Sequence, residues 1–171
     1  MSVMAGSNGA GDHGAGSGAA AAARALFYHL TRRPAEDTLP ALIDRALAAG
    51  SRVVLRGTDR ARLERIDERL WLEPEDGFLP HGIEGGPHDA DQPVLLATGP
   101  GRPNGADCLI LIDGAGPEAG ELAALNRICV LFDGNDAAAV TAARALWRDL
   151  ATRGLSPEYW SEDSGRWQRR Q

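Results

Sequence analysis

The sequence contains no lysine, and all 18 of its basic residues are arginine. A P-loop nucleotide site needs a lysine that reaches the phosphates, so this class of site is excluded. Basic charge is also outweighed, because 24 acidic residues give a formal net charge of −6. Proteins that bind duplex DNA are usually basic, since phosphate neutralisation supplies most of their affinity. The sequence therefore argues against a protein dedicated to binding duplex DNA.

Cysteine is scarce as well. The two cysteines, Cys108 and Cys129, lie in apolar runs, and no CxxC motif is present. This usage predicts two reduced thiols buried in adjacent strands and excludes a zinc ribbon or a thioredoxin-like site. The chain also lacks a run of about 18 apolar residues, and its first residues lack the basic and leucine-rich regions of a secretion signal. We therefore expect a cytoplasmic protein.

Three segments of different composition divide the chain. Residues 1–24 are rich in glycine and alanine and hold few large apolar side chains. Such a segment cannot bury enough surface to offset its ordering entropy, so we predict a disordered extension. Residues 25–160 have the composition of one α/β domain, and residues 161–171 form a polar C-terminal tail.

Short apolar runs alternate with helical patterns between residues 25 and 160. The patterns predict strands at 25–30, 52–56, 93–97, 107–112, 128–132 and 155–160, and helices at 34–49, 59–71 and 135–153. Residues 72–92 have no regular pattern. The strands at 107–112 and 128–132 carry unbroken apolar runs, as expected where a parallel sheet is covered on both faces. The predicted fold is a three-layer α/β/α sandwich with a mostly parallel, Rossmann-like sheet.

The motifs expected of cofactor and metal sites are incomplete. The loop 114–120 has the spacing GxGxxxG instead of GxGxxG, and Pro117 removes an N–H that a phosphate would need. Four possible metal ligands, His81, His88, Asp89 and Asp91, lie in the irregular stretch, but their spacing matches no defined zinc site. We therefore favour structural histidines and expect neither a cofactor nor a metal.

Two aspartates keep an enzymatic interpretation open. Asp113 and Asp133 follow predicted strands, where α/β enzymes often place catalytic groups. Aspartates also begin loops and cap helices for local reasons, and we favour that interpretation.

The last predicted helix carries the clearest binding pattern. Arg144 and Arg148 are four residues apart and share a face, with Trp147 beside them and Arg153 further along. Guanidinium groups next to an aromatic ring suit an acidic peptide that carries an apolar residue. A solvated helix face with a core tryptophan remains the alternative.

A pair of aromatic residues brackets a loop at the start of the irregular stretch. Trp71 and Phe78 are separated by a short acidic segment. They form either a small second core or an exposed aromatic patch for a protein partner. The sequence does not favour one of these interpretations over the other.

Taken together, these segments resemble the chi accessory subunit of bacterial DNA polymerase III. The resemblance covers residues 25–160 and rests on the segments 27–30, 70–71, 77–82, 91–94, 131–133 and 159–160, together with the first and last helices. It implies a non-catalytic replisome adaptor that links single-stranded DNA-binding protein, through the acidic Phe-terminated tail of that protein, to the psi subunit of the clamp-loader complex.

The resemblance also assigns roles to residues. It implies tail binding by Arg144, Trp147, Arg148, Arg153 and Val140, where Val140 stands at a position expected to be basic. It implies that Trp71 and Phe78 contact a psi-like partner. Two functions remain as alternatives: an enzyme with a carboxylate site near Asp113 and Asp133, and a direct binder of single-stranded DNA.

Overall fold

The apolar segments of the chain form the strands of a single sheet. The computed structural model describes residues 22–72 and 77–170. Its strands are β1 (Arg24–Leu30), β2 (Val53–Arg56), β3 (Gly82–Ile83), β4 (Val94–Ala97), β5 (Cys108–Leu111), β6 (Arg127–Asp133), β7 (Glu158–Ser161) and β8 (Gln168–Arg170). Its helices are α1 (Ala35–Ala48), α2 (Arg60–Leu72) and α3 (Ala137–Thr152).

The strand order is β3-β4-β2-β5-β6-β1-β7-β8. All neighbouring strands are parallel except β7 and β8, which are antiparallel. The carboxyl ends of seven strands therefore meet at one edge of the sheet. The predicted mostly parallel α/β sandwich is confirmed.

Alternate residues along each strand build two separate cores. Leu26 and Tyr28 point to the face that α1 and α2 cover, whereas Ala25 and Phe27 point to the face that α3 covers. The strands β2, β4 and β5 are buried along their whole length, which explains why they are apolar at every position except Arg56. The cysteines Cys108 and Cys129 are free and buried on neighbouring strands, as predicted.

The connections place a crevice at the middle of the sheet. Strand β1 leads into α1 on one face, and its neighbour β6 leads into α3 on the other face. Chains that leave adjacent parallel strands in opposite directions open a cleft at the strand ends, which is where α/β proteins commonly bind ligands.

Four local features differ from the sequence prediction. The N-cap of α3 is Asp136 and not Asn135: its carboxylate accepts the N–H of Ala138 at 2.9 Å. Both residue types cap well, so sequence alone does not separate neighbours.

The short strand β3 lies in the stretch expected to be irregular, and β8 lies in the expected polar tail. The extension predicted for residues 1–24 falls outside the described residues up to residue 21, and Arg24 already begins β1.

None of the described helices combines the length and the apolar character needed to cross a membrane.

Candidate functional site

A small groove lies between α3 and the strands beneath it, and we call it the α3 groove. Its volume is about 220 Å³. The lining residues come from β1, β6, α3 and β7, and they are Phe27, His29, Phe132, Val140, Ala143, Arg144, Trp147 and Tyr159. Ligand pockets for drug-sized molecules are usually larger, about 300–1,000 Å³. The groove therefore suits a single large side chain better than a whole cofactor.

Aromatic rings form most of its wall. The ring centroids of Phe27 and Trp147 are 5.0 Å apart and the two planes are tilted by 58°. The imidazole of His29 stacks on Phe132 at 5.1 Å with an interplanar angle of 6°. The same imidazole occupies the space where a Cβ of residue 134 would lie, so only glycine fits at Gly134. An apolar side chain in this groove would meet aromatic faces on several sides.

One end of the groove is polar. His29 Nδ1 and the hydroxyl of Tyr159 form a hydrogen bond, although the residues are far apart in sequence. Burial raises the pKa of Tyr159, and so does Asp163, while Arg170 and Arg144 act in the opposite direction. The phenol therefore stays protonated at neutral pH, and its oxygen can both donate and accept a hydrogen bond.

The structure brings part of the predicted arginine set to this groove. Arg144 lines it, and Arg148 is exposed one turn further along α3. Neither guanidinium makes a hydrogen bond or an ion pair with another described residue. Arg153 differs, because its Nε lies 3.0 Å from Asp149 Oδ2. Trp147 and Val140 also line the groove, so three of the five predicted residues meet there and Arg148 lies nearby.

The second predicted surface is an exposed aromatic patch, defined by Trp71, Leu72 and Phe78. These side chains are the large hydrophobic residues most open to solvent among the described ones, at 55%, 73% and 76% exposed. The rings of Trp71 and Phe78 lie 6.0 Å apart. Helix α2 covers the opposite face of the sheet from α3, so the aromatic patch and the α3 groove are separate surfaces.

His81 supports the aromatic patch from below. Its ring is buried and lies 4.5 Å from the ring of Trp71. Its Nδ1 forms a hydrogen bond of 2.6 Å with the carbonyl oxygen of Leu79. His88 and Asp91 are exposed. Within residues 22–72 and 77–170 no three His, Cys, Asp or Glu side chains are grouped to hold a metal ion. The interpretation of His81 as a structural histidine agrees with these contacts.

A larger cavity of about 770 Å³ opens at the carboxyl edge of the sheet, and we call it the strand-end crevice. Asp113 and Asp133 both line it, as do Arg32, Arg33 and Arg62. Most of these charges are already engaged. Arg62 pairs with Asp113 and, at 3.0 Å, with Glu36. Asp133 Oδ1 accepts the N–H of Asn135 at 2.8 Å.

Asp113 is the least ordinary group of the crevice. Its φ angle is 56°, a left-handed conformation that is uncommon for residues other than glycine. Burial raises its pKa, although Arg62 acts in the opposite direction. Its second carboxylate oxygen, Oδ2, is buried without a hydrogen-bond partner among the described residues. A site with a perturbed carboxyl in a cleft is a standard candidate for function.

Sequence reasoning missed five residues that line the α3 groove, which are Phe27, His29, Phe132, Ala143 and Tyr159. Phe27 and His29 share one face of β1 by simple strand alternation, and that signal was available. Phe132 and Tyr159 arrive from β6 and β7, which flank β1 in the sheet. Their contribution depends on strand order, which a single sequence does not reveal.

Comparison with known proteins points to one family. A family model described as DNA polymerase III chi subunit, HolC, matches residues 23–158. A probable DNA polymerase III subunit chi of Rickettsia prowazekii is 27% identical over 86 residues, which cover 50% of this chain and 52% of that protein. The DNA polymerase III subunit chi of Pseudomonas aeruginosa is 35% identical over 69 residues, which cover 40% of this chain and 47% of that protein. The chain thus spans about half the length of the curated relatives it matches.

Proposed function

Since the chain belongs to the family of DNA polymerase III chi subunits, we propose that it is a cytoplasmic, non-catalytic adaptor of the replisome. In this proposal the α3 groove binds the acidic, Phe-terminated tail of single-stranded DNA-binding protein. The aromatic patch binds a psi-like subunit of the clamp-loader complex where such a subunit is present. Polymerase activity resides in other subunits of the assembly.

The observation that carries the proposal is the pairing of an aromatic groove with uncommitted arginines. Arg144 and Arg148 have no partner among the described residues, and Arg144 borders a cavity walled by Phe27, Phe132 and Trp147. Arginine is well suited to hold carboxylates through two parallel hydrogen bonds. An acidic segment that ends in a phenyl ring complements both features at once.

The separation of the two surfaces supports a bridging role. The aromatic patch lies on the face of the sheet that α2 covers, and the α3 groove lies on the other. Exposed clusters of large apolar side chains are a mark of protein interaction sites. One molecule therefore has room for two partners simultaneously.

Calorimetry with synthetic peptides tests the tail-binding half of this proposal. The full chain is titrated with an acidic peptide that ends in Phe and with a control peptide that ends in Ser. We expect saturable one-to-one binding of the first peptide and binding of the second that is at least tenfold weaker, because an aromatic anchor in a pocket carries much of the energy of such interfaces. Equal binding of both peptides would contradict the use of the α3 groove.

An oligothymidylate serves as a third titrant in the same experiment. The alternative of direct single-stranded DNA binding predicts tight, strongly salt-dependent binding to it. We expect only weak binding, because the net charge of the chain is −6.

The enzymatic alternative has one observation in its favour, which is the strand-end crevice with the perturbed Asp113. It predicts that Asp113→Asn abolishes an activity while leaving the affinity for the tail peptide unchanged. The adaptor proposal predicts that this variant retains both peptide binding and capture of the clamp-loader complex.

A further inference from the structure

Strand β8 is the edge strand of the sheet and pairs with β7, which carries the groove residue Tyr159. Tyr159 on β7 and Arg170 on β8 are cross-strand partners, so their side chains lie on the same face of the sheet. That face is also the face of Phe27, which pairs with Tyr159 across β1 and β7. Arg170 therefore flanks Tyr159 from the edge of the sheet, while Arg144 lines the same groove from α3.

On the basis of the proposed tail binding, we propose that Tyr159 and Arg170 hold the terminal carboxylate of the bound peptide. A C-terminal Phe carries its carboxylate close to its ring, so a groove that takes the ring must also receive this charge. The Tyr159 hydroxyl donates to one carboxylate oxygen, and the guanidinium groups of Arg170 and Arg144 approach from opposite sides. The residue at the end of β8 thus becomes part of the specificity of the site.

His29 acts as a positioning residue in this arrangement. Its Nδ1 is hydrogen-bonded to the Tyr159 hydroxyl, and its ring is held between Phe132 and Gly134. With the peptide bound, the hydroxyl proton of Tyr159 points to the carboxylate and the Nδ1–H of His29 donates to the phenol oxygen. The two hydrogen bonds polarise each other in the same direction, which strengthens the contact to the charge.

The carboxylate of Asp163 also acts on Arg170 and Tyr159, the two residues assigned to the peptide carboxylate. Arg170 Nη2 lies 3.4 Å from Asp163 Oδ2, and both side chains are about half exposed. Asp163 also adds negative charge close to Tyr159 and so opposes an incoming carboxylate. Exposed ion pairs contribute little stability, so Arg170 can exchange Asp163 for the peptide at small cost.

Peptide chemistry and mutation together test the assignment. The affinity of the acidic Phe-terminated peptide is compared with that of the same peptide amidated at its C-terminus, for the parent protein, Tyr159→Phe and Arg170→Gln. We expect amidation to weaken binding to the parent about tenfold or more, in line with the loss of charge-assisted hydrogen bonds. In either variant most of this difference between the two peptides should disappear.

Arg169→Gln is the matched control. Arg169 pairs with Trp160 and lies on the opposite face of β8 from Arg170. This variant should lose as much affinity on amidation as the parent does. Asp163→Asn should bind the free-acid peptide several-fold more tightly than the parent, because it removes the competing charge and frees Arg170.

The outcomes separate this proposal from the function on which it rests. If amidation weakens binding equally in the parent, Tyr159→Phe and Arg170→Gln, the carboxylate is held elsewhere and only this assignment is overturned. The same holds if amidation has no effect on the parent, or if Asp163→Asn binds no more tightly. If the parent binds neither peptide, the proposed tail-binding function fails together with the assignment.

Discussion

The carboxyl edge of the sheet and the α3 groove differ in how their charges are used. At the sheet edge the arginines are engaged by carboxylates of the same chain, as in Arg56–Glu121 and Arg62–Asp113. In the α3 groove Arg144 has no such partner among residues 22–72 and 77–170, and neither does the neighbouring Arg148. The charges of the strand-end crevice are thus largely neutralised by other residues of the same chain. The α3 groove instead presents arginine charge to the solvent. A choice by volume alone would select the strand-end crevice, whereas the use of charge favours the α3 groove as the proposed binding surface.

At the carboxyl edge of the sheet, Arg56 and Glu121 form the most extensively hydrogen-bonded ion pair. Both side chains are buried, and two hydrogen bonds of 2.7 and 2.8 Å join them. Glu121 also accepts the N–H of Gly101 at 3.0 Å, so the pair ties two loops to the end of β2. Such a pair contributes little over an apolar replacement, but removing one partner leaves a buried charge unpaired.

Glu121→Gln should therefore have the largest effect on stability. We expect the free energy of unfolding to fall by about 3–5 kcal/mol, because the Arg56 charge remains buried without its counter-ion. Urea unfolding measures this change. The control is Glu64→Gln, which breaks the exposed pair with Arg60 at 3.2 Å and should cost less than about 0.5 kcal/mol. Similar losses in both variants would mean that burial does not govern the contribution of these pairs.

Glu162 gives the sheet edge a pH dependence. Its Oε1 accepts the backbone N–H groups of Thr31, Arg32 and Arg33 at 3.0–3.2 Å, between β1 and α1. Burial alone would raise the pKa of Glu162, but these donors and the Arg33 side chain outweigh it and hold the pKa below its usual value. Because the folded-state pKa is depressed, the stabilisation is complete above the unfolded-state pKa and is lost as the pH falls through the folded-state pKa.

Glu162→Ala should therefore lower the free energy of unfolding by about 1–3 kcal/mol at pH 7, since three backbone donors lose a charged acceptor. The difference from the parent should shrink as the pH falls below the normal range of glutamate. Unfolding curves at a series of pH values measure this convergence. A difference that stays constant down to acid pH would assign the effect to packing and not to charge.

Arg148, on the solvent side of α3, should contribute to peptide binding and not to stability. Arg148→Ala should weaken binding of the acidic peptide by about 1–3 kcal/mol, as for a charge-assisted hydrogen bond, and leave stability unchanged. The loss should be partly non-additive with that of Arg144→Ala, since both residues contact one ligand. Calorimetry of the two single variants and the double variant gives the coupling, and full additivity would contradict a shared ligand.

The aromatic patch should contribute little to stability. Phe78 is 76% exposed, so Phe78→Ala should cost well under 1 kcal/mol, compared with about 3–5 kcal/mol for a buried Phe. Tail-peptide affinity should be unchanged, while capture of the clamp-loader partner from cell extract should be lost. A marked drop in melting temperature would show that Phe78 packs in the core and would contradict its role in binding a partner.

The sequence predicted the sheet more completely than the site. Strands β2, β4 and β5 were recognisable because both of their faces are buried and every position except Arg56 is apolar. Strand β8 was missed because Gln168, Arg169 and Arg170 are all exposed, and only pairing with β7 makes the segment a strand. A polar edge strand leaves no periodic signal.

The site shows the same division between local and distant information. Arg144 and Trp147 were found because their spacing on one helix is local. Of the other groove residues, Phe132 comes from β6 and Tyr159 from β7. The contribution proposed for Arg170 would come from β8, which pairs with β7. Their meeting depends on the order β6-β1-β7-β8, which is set by tertiary packing.

The most direct test compares one arginine from each region in matched variants, Arg62→Gln and Arg144→Gln. Unfolding free energy and tail-peptide affinity are measured for both. Arg62 pairs with Glu36 and Asp113, so Arg62→Gln should lose about 1–3 kcal/mol of stability and bind the peptide like the parent. Arg144→Gln should keep the parent's stability and lose about tenfold or more in affinity. If Arg62→Gln loses the peptide, or Arg144→Gln binds it as the parent does, the assignment of binding to the α3 groove is contradicted.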